Sequence, residues 1–298
     1  MKRNAPWAVL AIFTLWTTAA LGQPAYSIKI KESTEGNVVL VNKISTTITK
    51  IKVSDAGGNV LADNSEAVKE SRSFKETILK REAGKTPSKL LREYASATTS
   101  KNDEKKDSAL NGLTVVIERK GAKYQFTTKD GAAVSEEAAN ALAKDFKQKS
   151  DEDAEFEKAV MPKNPVKVGE SWKIDMAKPV AIFARSGGLE VFIDKSKGTG
   201  TLIKAYKKDG KQFGEMKFAM VMPVKSTGQG KEAMIFSDGA KIIVELTLDA
   251  CIDGSSDTHT SKMSMSMSGN ATVPNSPGVT VQLAVTMEGT QYQQEAKK

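Results

Sequence analysis

The chain has 298 residues, with 44 Lys and Arg against 36 Asp and Glu, a net charge of +8, one cysteine and one histidine. That inventory excludes an intrachain disulfide framework and a His/Cys metal cluster, and a chain this long buries an apolar core without either. The charges are mixed in sign through the middle of the chain, as in Lys101-Asn102-Asp103-Glu104-Lys105-Lys106-Asp107, so no one-sided basic face is expected and nucleic acid is not an expected partner.

Residues 1–22 read as a secretory signal peptide. Lys2 and Arg3 form the charged start, an uncharged apolar run follows from Ala5 to Leu21, and the small residues Ala20 and Gly22 put cleavage near Gly22-Gln23. Pro6 and the polar exit argue against a spanning helix, and no later segment is apolar enough to span. The sole cysteine, Cys251, is far from the cleavage point, so no lipid anchor is expected. The expected location is periplasmic or secreted, with no stable membrane insertion after cleavage.

Beyond the leader, Tyr26, Ile28 and Ile30 alternate with polar residues. The β-branched run over residues 44–53 predicts a strand entering the turn Asp55-Ala56-Gly57-Gly58. Residues 65–106 are ambiguous, because Phe74 with Ile78, and Leu90 with Tyr94, fit a helical face and a strand face equally. Residues 113–119 and 124–128 around Lys120-Gly121 predict a hairpin. A helical insert is expected over residues 135–160. Ser135 is a good N-cap, Glu136 and Glu137 suit the positive end of the helix dipole, and Ala138, Leu142 and Phe146 recur at helical spacing. A second short helix over residues 151–160 should stop before Pro162 and Pro165, where a boundary near 161–165 would fall if the chain divided. One continuous β-rich domain over 23–298 is the expectation.

The stretch Pro165-Val166-Lys167-Val168-Gly169-Glu170-Ser171-Trp172 resembles a motif of an uncharacterised family of exported proteins of planctomycete-type bacteria, a domain of unknown function. Gly112 to Ile117 and Asp130-Gly131 before the Ser135 helix fall in a similar order. The resemblance implies no activity and no catalytic residue. Physically, Gly169-Glu170 reads as a turn into a strand, and Trp172 as an apolar plug with its indole N–H at a polar edge.

The second half alternates with period two. Met216, Phe218, Met220 and Met222 share one face; so do Ile242, Val244, Leu246 and Leu248, then Met263, Met265 and Met267, then Val281, Leu283, Val285 and Met287. Asp209-Gly210, Ser237-Asp238-Gly239, Asp253-Gly254 and the Pro274 to Gly278 stretch separate them as turns. Asn270-Ala271-Thr272 reads as an ordinary turn that happens to match a glycosylation acceptor. The fold class is therefore mainly β: a large, curved antiparallel sheet with a short helical insert packed on it, a half-barrel of the lipid-carrier kind among the forms this allows.

No enzyme is expected and no cofactor. The single His259 has no second histidine, no G-x-S-x-G elbow occurs, and Gly187-Gly188 and Gly198-Thr199-Gly200 lack the lysine and helix of a phosphate loop. The expected role is a binding or scaffolding module of the cell envelope, with an unidentified envelope component as partner. An alternative is a carrier of a lipid or acyl chain on the methionine-rich face, with Trp172, Phe218, Met220, Met222, Met263, Met265 and Met267 as contacts. A second alternative is Cu(I) binding by Met263, Met265 and Met267 with His259 on the same parity. Cys251 is expected in a strand as a small buried hydrophobe.

Overall fold

The computed structural model describes residues 23–83, 85–121, 123–146, 156, 158–227, 233–274, 276 and 278–296. The expected signal peptide over residues 1–22 lies outside them, as do residues 151–155 and 157 of the expected second helix. Strands β1 (Ala25–Tyr26), β2 (Val38–Ser54), β3 (Val60–Lys80), β4 (Lys89–Lys101), β5 (Glu104–Asp107), β6 (Thr114–Lys120) and β7 (Lys123–Thr128) precede helix α1 (Glu136–Phe146). After it come β8 (Val166–Lys167), β9 (Ser171–Lys173), helix α2 (Ala177–Gly187), β10 (Leu189–Val191), β11 (Lys197–Lys208), β12 (Lys211–Thr227), β13 (Met234–Phe236), β14 (Lys241–Cys251), β15 (His259–Thr272) and β16 (Thr280–Glu295).

The protein is mainly β, built on one large, curved antiparallel sheet. Its path runs β7-β6-β4-β3-β2-β16-β15-β14-β12-β11-β9, with β5 beside β4, β10 beside β12, and β13 touching both β12 and β15. The short β1 pairs with β8 apart from it. Each of the four alternating runs of the second half lies within one of the strands β12, β14, β15 and β16, because alternation is what a strand with one covered face requires, whereas of Tyr26, Ile28 and Ile30 only Tyr26 lies in a strand. The turns follow too: Asp209 and Gly210 both take positive φ, of 50° and 75°, as a two-residue hairpin with the right twist demands.

The ambiguous stretch resolves into β3, β4 and β5. Residues four apart share a face in both a helix and a strand, so Phe74 with Ile78, and Leu90 with Tyr94, carried no discriminating signal. Pairing decides it: Phe74 is registered to Tyr94 and Ile78 to Leu90, and the Phe74 and Tyr94 rings sit 5.3 Å apart. Asn270-Ala271-Thr272 is a correction, since it lies inside β15 with Ala271 buried against β13.

Two apolar cores form on the same face of the sheet. In the first, α1 lays Ala138, Leu142 and Phe146 on Val41, Phe74, Leu90, Tyr94, Val115 and Ile117. Ser135 caps this helix, its Oγ accepting the Ala138 N–H at 3.3 Å. The second gathers Met216, Phe218, Met220, Met222, Ile242, Val244 and Met267 beneath Val160, Ile174, Met176 and Val180. The helical insert over 135–160 thus does not close over the methionine-rich strands as one unit. Its first helix covers the N-terminal strands, and α2 shares the cover of the second core.

Helix α2 was not anticipated from the sequence. Met176, at the N-cap position before it, supplies no side-chain cap; instead the Ala177 N–H donates to Asp175 Oδ1 at 3.1 Å. Pro179 in the first turn costs no intrahelical bond. Gly188 ends the helix in the left-handed conformation at φ 59°, which was the available signal.

Candidate functional site

Reading the register across the sheet shows how its inner face changes chemistry. One row runs Met220, Val244, Met265, Met287, Thr47, Val68; the row nearer the His259 end runs Met216, Leu248, Ser261, Gln291, Lys43, Arg72. In the second row apolar side chains give way to hydroxyl, amide and charge from β15 onward, whereas the first stays apolar through Met287 on β16. The second core therefore has a boundary on this face, and an apolar-floored cavity lies at that boundary.

That cavity has a volume of about 400 Å³. Phe218, Leu246, Leu248 and Ala250 of β12 and β14 form its floor, with Ile30, Phe156, Val160, Met161 and Ile182 over it; Cys251, Ser256, Asp257, Thr258, His259 and Ser261 form one end. The floor residues continue the parity of the β14 alternation, and His259 and Ser261 that of the methionines on β15. Parity was the signal for these wall residues, which the sequence reading had not assigned to a site.

Among the seven residues expected to touch an apolar ligand, Phe218 lines the cavity. Trp172 sits behind it, its ring edge-on to Phe218 at 6.0 Å and its Nε1–H donating to the Val160 carbonyl at 2.7 Å. Met220 and Met222 are buried in the core beside it. Met263, Met265 and Met267 are registered to Leu246, Val244 and Ile242 on one side and to Gly289, Met287 and Val285 on the other. Same-face residues along a strand are about 7 Å apart, so the three thioethers do not converge on one ion. Among the described residues no group of three or more His, Cys, Asp or Glu could hold a metal.

The polar end is a network drawn from three parts of the chain. Asp257 accepts from Ser33 Oγ and, at 2.8 Å, from Gln293 Nε2. Glu295 pairs with Lys31 at 2.6 Å and accepts from Ser256 Oγ at 3.3 Å. Burial raises the Asp257 carboxyl above the ordinary aspartate value, against the lowering bonds from Ser33 and Gln293. The Lys31 bond lowers Glu295. Burial lowers the His259 imidazole below its usual value; Nδ1 stands 3.9 Å from Asp257 Oδ1, too long for a hydrogen bond, and Nε2 is 3.4 Å from the Gln291 amide nitrogen. Cys251 is free and buried in β14 as expected, with Sγ 3.1 Å from Asp253 Oδ1.

Among the described residues no helix is long and apolar enough to cross a membrane. No protein-family model matches the chain, and no curated protein does. Among solved structures, one of lipovitellin, titled for its lipid–protein interactions, is 8% identical over 90% of this chain, with a TM-score of 0.37; the chain spans 26% of that one. An outer-membrane channel from Pseudomonas putida F1 is 7% identical over 90% of this chain and 98% of its own, at 0.22. The outer-membrane protease OmpT from Escherichia coli is 9% identical over 87% of this chain and 97% of its own, at 0.20. Scores this low leave the function to be argued from the cavity.

Proposed function

We propose that this protein is a non-enzymatic, extracytoplasmic binding protein that carries a ligand with an apolar body in the cavity beneath residues 156–161. The observation that carries this reading is the cavity itself: about 400 Å³ with an apolar floor and one polar end. That volume and lining are those of small-molecule sites, about 300–1,000 Å³. The leader-like residues 1–22 support export, and the likeness of the segment from Pro165 to Trp172 to planctomycete-type exported proteins agrees with it. A binding role is supported at His259, whose Nε2 lies 3.4 Å from the Gln291 amide nitrogen at the polar end of the cavity.

The test is uptake of the apolar fluorophore N-phenyl-1-naphthylamine by protein lacking residues 1–22, with native mass spectrometry for lipid that copurifies. Wild type is expected to enhance the fluorescence and to protect Cys251, in the cavity wall, from maleimide. Ala250→Leu and Ser261→Leu, which fill the floor and the rim, should each lower uptake about tenfold. Uptake unchanged in both folded variants, with Cys251 labelling indifferent to the probe, sinks the reading.

The scaffolding reading draws on a different observation. Leu40, Ile44 and Ile48 share the opposite face of β2 and are 44%, 47% and 38% exposed. Absence of any probe uptake, with loss of envelope association in Ile44→Lys, would favour it.

A further inference from the structure

Given the carrier reading, on which this rests, we infer that the polar end of the ligand is a hydrogen-bond donor, a hydroxyl or an ammonium, received by the Asp257 carboxylate, and not an anionic head. The residue is 8% exposed and forms part of the cavity wall. A buried carboxylate needs compensation. Among the described residues its donors are Ser33 Oγ and Gln293 Nε2, both neutral, and they use two of about four acceptor positions. The Lys31 ammonium of the same network is bonded to Glu295. His259 adds no compensating charge while it is neutral, the form that burial favours.

Charge therefore selects the head group. A carboxylate or phosphate arriving at this end would meet the Asp257 carboxylate, with Glu295 in the network behind it already paired to Lys31 and no uncommitted cation among the described residues of the network, and like charges repel. A hydroxyl or ammonium would fill the open acceptor positions with a charge-assisted bond, roughly twice the strength of a neutral one.

Three probes with the same twelve-carbon tail decide it: dodecylammonium, dodecanol and dodecanoate, each displacing N-phenyl-1-naphthylamine at pH 7 below its micelle concentration. The ammonium and the alcohol are expected to bind wild type at least about tenfold tighter than dodecanoate, and the ammonium's advantage over dodecanoate should shrink about tenfold in Asp257→Asn. Dodecanoate binding as well as the others overturns the head-group inference and leaves the carrier reading intact. Failure of all three to bind, with no fluorophore uptake, overturns both. The wild-type ranking needs no variant, so a misfolded Asp257→Asn does not stop the test.

Discussion

Gly200 stands directly opposite Trp172 across the β11–β9 pairing, and the indole occupies the space where a side chain would otherwise project. A Cβ built on Gly200 would come within 2.3 Å of Trp172 Cε2, so even alanine displaces the ring. The indole would then lose its bond to the Val160 carbonyl and its edge contact with Phe218, both of which fix the cavity's back wall. Gly200→Ala is expected to cost about 3 kcal/mol, the sum of overpacking and a lost buried hydrogen bond. Once residues 1–22 are removed, Trp172 is the one tryptophan left. A red-shifted emission should therefore accompany the lower denaturation midpoint, and a wild-type midpoint and spectrum would refute this seating. The sequence identified Trp172 as a plug; only the pairing identified the glycine that makes room for it.

At the scale of elements, α1 is held to the sheet by charge as well as by its apolar stripe. The Arg92 side chain on β4 is 7% exposed, with Nε 2.6 Å from Glu76 Oε2 on β3 and Nη1 3.8 Å from Asp145 Oδ2 on α1. Its guanidinium lies 4.4 Å from the Phe74 ring centroid and 4.8 Å from that of Phe146. Burial disfavours its charge, yet Glu76 and Tyr94 together hold its pKa above the ordinary arginine value. Arg72 on β3 bonds the same Asp145. Glu76→Leu, which strands a buried cation, should destabilise by about 3–5 kcal/mol, and Glu76→Leu with Arg92→Met should recover most of that. Urea denaturation of the two variants checks it; a loss under about 1 kcal/mol in the single variant would show the pair to be solvated. In the sequence Arg92 was one charge among many, because no local pattern marks a residue whose partners come from other elements.

For the molecule as a whole, the polar end of the cavity couples stability to pH. The folded state holds His259 below its usual pKa, so the unfolded chain binds the proton more readily between the folded value and about 6.5. Its contribution is complete above about 6.5 and is lost as pH falls through the folded value. Asp257, which faces it and whose carboxyl is raised, works in the opposite direction: it takes up a proton more readily when folded and so offsets part of the loss on acidification. The thermal midpoint should fall between pH 7.5 and 5.5, and His259→Gln should flatten that slope. The single imidazole makes the assignment direct, since its NMR signal should titrate below 6.5. A midpoint at or above 6.5 would mean the ring is hydrated.

The period-two alternation of Met216 to Met222, Ile242 to Leu248 and Met263 to Met267 determined the strands, because a face that must be dry writes itself into every second residue. The capped start of α1 and the Asp-Gly turns were likewise local and therefore readable. Tertiary structure alone decided that the methionine face ends at a cavity, and that Ser33 reaches Asp257 across 224 positions while Gln293 reaches it across 36. Those contacts depend on strand order, which sets neighbours in space without constraining neighbours in sequence. Length and alternation specify how each ribbon folds; the order in which the ribbons pair specifies where a buried carboxylate meets an apolar floor.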